Sequence, residues 1–251
     1  MKIASRKSRP LLTAMLAALS IALSGVSLAQ DLTADEVLAQ MTEAAETAQD
    51  ASFLLTGRLL DPDGSSINLE VEIEVVPGER AGRAYFIQPD ALADNVIVFD
   101  GDAVYNYIFL TNQVTVFDAN DPDALGGFLG GQEIGGQEMG EQETTGQGPS
   151  EGFTLSLDLD ALFAGWEASL VGYEPGAYEL RLDNSEEGAT IDHVLATVEE
   201  GTWVPTQLVL TGGDGQTLAE LFVENFRRDG GLSAEDVTYI PEDAEVIDER
   251  N

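Results

Sequence analysis

The chain has 251 residues, with 46 acidic side chains, 11 basic ones and no cysteine. Four of the basic residues lie in the first ten positions, so the rest of the chain carries 7 basic and 46 acidic side chains, a net charge of −39. This charge repels phosphate backbones and argues against nucleic-acid binding, while the lack of cysteine excludes disulfides, thiol catalysis and thiolate metal sites. The hydrophobic share of 43% is typical of a packed domain.

The N-terminus has the pattern of a secretory signal. A basic segment ending at Arg9 precedes an apolar run from Leu11 to Leu23, and Ser27-Leu28-Ala29 is a small-x-small cleavage site. The alternative, a transmembrane anchor, needs a longer apolar run. We therefore expect residues 1–29 to be a cleaved signal peptide and residues 30–251 to form a single exported, periplasmic domain.

One helix is predicted at the start of the mature chain. Thr33 and Glu36 form a capping box, and acidic side chains in the first turn suit the helix dipole. The apolar residues that recur at helical spacing are Val37, Leu38, Met41, Ala45 and Ala48. This stripe is narrow and rich in alanine, so the helix can lie on a sheet without deep anchoring.

The rest of the pattern alternates with period two, which predicts short strands separated by turns. The expected strands are Ser52–Leu60, Ile67–Val75, Arg83–Ile87, Val96–Phe99, Ala103–Tyr107, Gln113–Phe117, Trp166–Tyr173, Ala177–Leu182, Thr190–Val198, Trp203–Leu210 and Thr217–Phe226. No helices alternate with them, so a large curled or barrel-like antiparallel sheet is favoured over a parallel one. In the second strand, Glu70, Glu72 and Glu74 share one face and are expected at a solvated edge.

A glycine-rich segment at about 118–152 interrupts the strands. Ten of the 26 glycines of the chain fall between Gly126 and Gly152, and glycine loses the most backbone entropy on ordering. We expect a flexible insertion in a surface loop. The alternative is a flap over a pocket, because apolar residues punctuate the segment. A short helix is expected after it, at Leu157 to Phe163.

Residues with catalytic or metal-binding potential form no recognisable site. His193 lies within an alternating strand and is expected to be structural. Asp118, Asn120, Asp121 and Asp123 cluster, but they do not follow the twelve-residue calcium loop. We therefore predict no catalytic residue, no metal site and no cofactor. An enzyme that uses a carboxylate pair, such as a glycosidase or esterase, is the least favoured class of function.

Several short motifs occur in an informative order. Ala51-Ser52-Phe53 follows the predicted helix, and Gln88-Pro89 precedes the hairpin around Asp100-Gly101. Trp203-Val204-Pro205 opens a late hairpin, and the segment from Tyr239 to Asp248 closes the chain. In this order the motifs resemble the periplasmic outer-membrane lipoprotein carriers of the LolA type, from about Leu32 to Asp248. The resemblance excludes the glycine-rich segment.

This resemblance implies an unclosed antiparallel barrel of about ten or eleven strands, covered by the N-terminal helix and short lid helices. It also implies a hydrophobic cavity for the acyl chains of a lipoprotein, or another lipid, in transit toward the outer membrane. The expected partners are this cargo, an inner-membrane donor and an outer-membrane acceptor, met by a monomer in transient contacts. One departure is that Val76 precedes Pro77, where the family carries an arginine that bonds to the lid. Arg80 and Arg83 are out of register with that position.

Candidate binding residues are the apolar members of the alternating strands and of the helix. The predicted cavity residues are Phe53, Leu55, Leu69, Val71, Ile73, Phe86, Val98, Tyr105, Trp203, Leu208, Leu210 and Phe222, and the predicted lid residues are Val37, Leu38 and Met41. The alternative function is that of an envelope-stress sensor of the RseB type, which has a related half-barrel and binds a protein or lipid signal.

Overall fold

The computed structural model of the chain describes residues 32–61, 64–119, 165–186 and 189–250. The predicted signal peptide, residues 120–152 of the glycine-rich insertion and the short helix predicted at 157–163 lie outside these ranges. Within the described ranges, no helix has the length and hydropathy needed to cross a membrane.

The described elements follow the predicted order closely. Among them are two α-helices, α1 (Ala34–Glu46) and α2 (Ala234–Val237), and a 3-10 turn at Pro77–Glu79. The strands are β1 (Ala51–Leu60), β2 (Ser66–Val76), β3 (Ala81–Gln88), β4 (Val96–Phe99), β5 (Ala103–Ile108), β6 (Gln113–Asp118), β7 (Trp166–Glu174), β8 (Ala177–Asn184), β9 (Ile191–Glu199), β10 (Pro205–Gly212), β11 (Thr217–Arg228) and β12 (Glu245–Asp248).

All twelve described strands belong to one sheet, in the order β12-β6-β5-β4-β3-β2-β1-β11-β10-β9-β8-β7. Neighbouring strands are antiparallel except β12, which runs parallel to β6. Strand β1 pairs with both β2 and β11, so it joins the first half of the sheet to the second. Among the described residues the end strands β12 and β7 do not pair, so the sheet is open. The predicted mainly-β, unclosed half-barrel is thereby confirmed, with twelve strands rather than ten or eleven.

Two C-terminal elements were not predicted. Helix α2 begins after Ser233, whose backbone N–H and hydroxyl both donate to the Asp236 carboxylate, at 2.9 and 2.6 Å. Its fully buried Val237 packs against Val76 and Ala81. A four-residue helix and a four-residue strand are too short to show a helical or alternating period, so neither was recognised.

The strand register defines two faces of the sheet, because directly opposed residues of an antiparallel pair point to the same side. We call the side that carries Phe53 and contacts α1 the inner face. Buried apolar residues line it in both halves of the sheet. Val71, Ala84, Phe86, Ile97, Phe99 and Val104 form one buried cluster with Leu92 and Ala119, and the buried residues of the other half are Leu180, Leu182, Val194, Ala196 and Val198.

The outer face is more polar. Glu70, Glu72 and Glu74 lie on it, and Glu74 forms an ion pair with Arg83 of the neighbouring strand. Strand β2 is flanked by β1 and β3, so the expectation that these glutamates lie at an edge is wrong. They lie within the sheet on the side opposite the apolar face of β2, where Glu72 is exposed and Glu70 and Glu74 are half-buried.

Candidate functional site

An apolar cavity of about 80 Å³ lies between the C-terminal half of α1 and the inner face. Four parts of the chain form its walls: the helix end, the start of β1, the turn before β10 and the end of β11. The lining residues are Met41, Ala44, Ala45, Ala48, Phe53, Thr202, Trp203, Val204, Pro205, Val223, Phe226 and Arg228.

Helix α1 covers the cavity with small side chains. Val37 and Met41 are almost fully buried and anchor the helix on the sheet, and Met41 also lines the cavity. Leu38 is half-buried and lies with Ala39 along a shallow depression on the other side of the helix. Of the three predicted lid residues, two therefore point toward the sheet and one does not.

Aromatic rings form two of the cavity walls. The rings of Phe53 and Phe226 lie 6.4 Å apart, and Trp203 stacks on Tyr178 with 5.8 Å between ring centroids. Trp203 has a left-handed backbone, with φ of 58°, which is uncommon for a bulky residue. The backbone N–H of Trp203 donates to the carbonyl oxygen of Glu199 at 2.9 Å. This bond holds the turn, and with it the indole ring, in place.

Asp50, just after α1, attaches the start of β1 to the chain that follows β11. Its carboxylate is nearly inaccessible and accepts the backbone N–H groups of Gly230 and Gly231, each at 2.8 Å. Its carbonyl oxygen accepts the N–H of Asp229 at 2.9 Å. A buried carboxylate needs such donors, because the desolvation of an unpaired charge is expensive.

Two further hydrogen bonds fasten the end of α1 to β11. The guanidinium of Arg228 donates to the hydroxyl of Thr47 at 2.7 Å. The N–H of Gln49 donates to the carboxylate of Asp229 at 2.8 Å. These bonds join exposed or half-exposed groups, so water can replace either partner at low cost. The helix end is thus held mainly by peripheral polar contacts.

The structure brings most of the predicted cavity residues to one side of the sheet. Trp203 lines the cavity from its turn, and the residues on the inner face are Phe53, Leu55, Leu69, Val71, Ile73, Phe86, Leu208 and Leu210. Only Phe53 and Trp203 among these border the described cavity. Contact of the whole set with a lipid stays a prediction.

Three predicted cavity residues lie on the outer face instead. Val98 is opposite Tyr105, and Phe222 is opposite Thr56 of β1, on the side away from the cavity. These strands carry apolar residues on both faces, so alternation alone left their phase open. The Tyr105 hydroxyl donates to Asp100 at 2.7 Å, and burial together with this bond raises the pKa of Tyr105 to about 12.

Val223 and Phe226 line the cavity and were missed. Strand β11 has one extra residue between the pairs Ser52↔Arg227 and Leu54↔Glu224, and Asn225 takes a left-handed backbone with φ of 55°. This bulge shifts the phase of the strand and turns Phe226 to the inner face. Val223 and Phe226 are three residues apart, which breaks the period of two. This spacing was the signal of a bulge available in the sequence.

His193 lies on the outer face, away from the cavity. It is opposite Thr211 and Asp183, and its Nδ1 lies 2.9 Å from the carboxylate of Asp192. The described ranges contain no group of three or more side chains able to hold a metal ion.

Among known proteins, the chain resembles solved structures only at the level of the fold. No protein-family model and no curated protein matches the chain. An uncharacterized conserved protein from Thermus thermophilus is similar with a TM-score of 0.57 and 19% identity, over 86% of this chain and 98% of that one. The fold is an unclosed antiparallel half-barrel. At 19% identity this likeness bears on the fold alone.

Two further solved structures match with lower TM-scores. A LolA superfamily protein from Nitrosomonas europaea gives a TM-score of 0.38 and 13% identity, over 83% of this chain and 98% of that one. The complex of MucA and MucB from Pseudomonas aeruginosa gives 0.45 and 17%, over 85% of this chain and 63% of the other.

Proposed function

We propose that the protein is a periplasmic, non-enzymatic carrier that binds the acyl chains of a lipoprotein or another lipid and moves them toward the outer membrane. The observation that carries this proposal is the apolar cavity between α1 and the inner face, which borders an apolar sheet surface. Burial of an alkyl chain there gains roughly 25 cal/mol per Å², without directional demands on the ligand. Such a site tolerates acyl chains of differing length.

The size of the cavity indicates how cargo enters. Its 80 Å³ is less than the roughly 150 Å³ in which an apolar cavity holds a benzene-sized ligand. A whole acyl chain therefore requires α1 to move away from the sheet. Ala44, Ala45 and Ala48 contribute little burial energy to the closed form, so the apolar cost of this movement comes mainly from Val37 and Met41.

The lining supports a binding role rather than catalysis. Among the described lining residues, Arg228 carries the only charge, and no carboxylate or histidine accompanies it. General acid–base chemistry needs titratable groups within hydrogen-bond reach of a reacting atom. The lining offers shape and apolar surface instead.

The test fills the cavity from the helix. Ala45→Phe places a ring in a space too small to hold both the ring and a ligand, whereas Ala39→Phe makes the same change on the exposed side of α1. Affinity for a fluorescent fatty acid should fall at least tenfold in Ala45→Phe and stay within about twofold of wild type in Ala39→Phe. Urea unfolding of each variant checks that the fold is retained.

Native mass spectrometry of protein isolated from its own envelope provides a second arm, in which bound acyl mass is expected. The carrier proposal is contradicted if wild-type protein neither carries acyl mass nor binds the probe. Capture of a membrane-anchored regulator by such an empty protein would favour the envelope-stress sensor instead.

A further inference from the structure

Arg228 is a cation in the wall of an otherwise apolar cavity. The other described lining residues are alanine, valine, proline, methionine, threonine or aromatic side chains. The chain as a whole is strongly acidic, with a formal net charge of −35, so a cation placed here is set apart from the prevailing charge. One end of the cavity is therefore positively charged.

The bulge in β11, and not regular strand alternation, places Arg228 on the cavity side of the sheet. Residue 228 is opposite Ala51, which shares the inner face with Phe53. Without the extra residue at Asn225, a regular β11 would direct Arg227 inward and Arg228 outward. Bulges of this kind are a means of re-aiming a side chain next to a binding site.

The guanidinium of Arg228 has spare hydrogen-bonding capacity. Among its five N–H donors, one bonds to the Thr47 hydroxyl, and the Asp229 carboxylate lies 3.6 Å from Nε. Asp229 accepts the Gln49 N–H through Oδ1 and forms this long ion pair through Oδ2, and Asp50 accepts two glycine N–H groups. No full carboxylate–guanidinium fork is present at this point in the described chain.

We propose that Arg228 binds the anionic head group of the cargo, a carboxylate or a phosphate, while the alkyl chain lies against Phe53, Val223 and Phe226. Guanidinium pairs with both groups in a bidentate manner, and the Arg228 side chain is one-third exposed, so a head group can reach it from solvent. The inference rests on the carrier function and names the ligand class, an anionic amphiphile. Because the anion takes the guanidinium from Thr47, head-group binding also releases one attachment of α1.

The test compares amphiphiles that share a dodecyl chain and differ in the head. Dodecanoate, dodecyl phosphate, dodecanol and dodecyltrimethylammonium are each titrated as competitors of the fluorescent fatty acid. Wild-type protein should bind the two anions at least tenfold more tightly than the alcohol, and the ammonium more weakly still. The ratio of carboxylate to phosphate affinity then shows whether a fatty acid or a phospholipid head is preferred.

Three variants separate head-group binding from other roles. Arg228→Met should reduce the preference of anion over alcohol to about onefold, while Thr47→Val should keep the preference and bind all four ligands more tightly. Arg58→Met is the matched control, because Arg58 lies on the outer face in an ion pair with Glu220 at 2.8 Å. Arg228→Lys keeps the positive charge and should retain part of the preference for anions. This variant therefore shows whether a lost preference in Arg228→Met comes from the missing charge or from misfolding.

The outcomes distinguish the inference from the carrier function. Equal binding of dodecanol and dodecanoate by wild type, or an anion preference that survives in Arg228→Met, overturns the head-group role and leaves the carrier function standing. Failure of all four amphiphiles to displace the probe overturns both.

Discussion

At the scale of single residues, Asp100 shows how a carboxylate shapes a turn in so acidic a chain. Its Oδ1 accepts the N–H groups of Asp102 and Ala103 at 3.1 and 2.9 Å, and its Oδ2 accepts the Tyr105 hydroxyl at 2.7 Å. Burial acts to raise the pKa of Asp100, but these hydrogen bonds outweigh it and hold the pKa below its ordinary value of 3.8.

This shift makes the turn sensitive to acid. Because the folded-state pKa lies below the unfolded one, the charged carboxylate stabilises the fold above about pH 4 and loses this effect as pH falls through the folded pKa. Asp100→Asn should lower the free energy of unfolding by about 1–2 kcal/mol at pH 7, and the difference from wild type should shrink toward about pH 3. Urea unfolding at both pH values measures it, with the exposed Asp102→Asn as control. A difference that is the same at both pH values contradicts the assignment.

At the scale of elements, the pairing of β1 with β11 joins the two halves of the sheet. Gly57 sits in this pair with φ of 151°, and a Cβ there would lie 2.0 Å from the carbonyl oxygen of Glu220. That oxygen belongs to the backbone of the neighbouring strand, so it cannot move aside without breaking the pairing. Close approach of the strands at this point requires glycine.

The substitution Gly57→Ala should therefore destabilise the protein by about 3 kcal/mol or more, because it forces β1 and β11 apart. Gly176→Ala is the matched control, since Gly176 also has positive φ, at 99°, but open space around it. Its cost should be only the conformational one, about 1–2 kcal/mol. Urea unfolding compares the two, and equal losses would show that steric contact at Gly57 is unimportant.

At the scale of the whole molecule, charge controls where the protein can dock. Outside the first ten positions the chain carries 7 basic and 46 acidic side chains. A surface of this sign repels anionic membranes and keeps a protein with an apolar cavity dispersed. A protein partner that docks on this surface should present a basic face, and its association should weaken as salt rises.

Self-repulsion of these charges should also lower the stability of the folded state at low ionic strength. Raising sodium chloride from about 0.01 to 0.15 M shortens the screening length from about 30 to 8 Å. We expect Tm, measured by circular dichroism, to rise by a few degrees over this range. An equal osmolarity of sucrose serves as the uncharged control. A Tm that falls with salt would mean that attractive ion pairs outweigh the repulsion.

Much of the fold was accessible from the sequence. The predicted bounds of β4 are identical to those observed, and β1, β5, β6 and β7 differ by one residue at one end. Period-two alternation and turn residues are local properties, so they locate strands without knowledge of their partners. The same locality explains why β12 was missed, because its four residues owe their strand conformation to pairing with β6.

The candidate site was predicted less well. Phe53, Trp203 and Met41 were named and do line the cavity, but Val223, Phe226 and Arg228 were not. The inward direction of Phe226 and Arg228 depends on the bulge at Asn225, which can be recognised only from the pairing of β11 with β1. Val98, Tyr105 and Phe222 were placed on the wrong face for a related reason, since their strands are apolar on both sides.

The order of helix, strands and turns, the excess of acid and a large curled antiparallel sheet follow from the sequence by itself, because propensity, alternation and charge are carried by each segment of chain. The unclosed half-barrel was implied by the resemblance of the motifs. The tertiary structure alone decided which apolar residues share the inner face, where α1 leaves a cavity, and that Arg228 lies at its edge. Those features depend on register, and a shift of one residue in register exchanges the two faces of a strand.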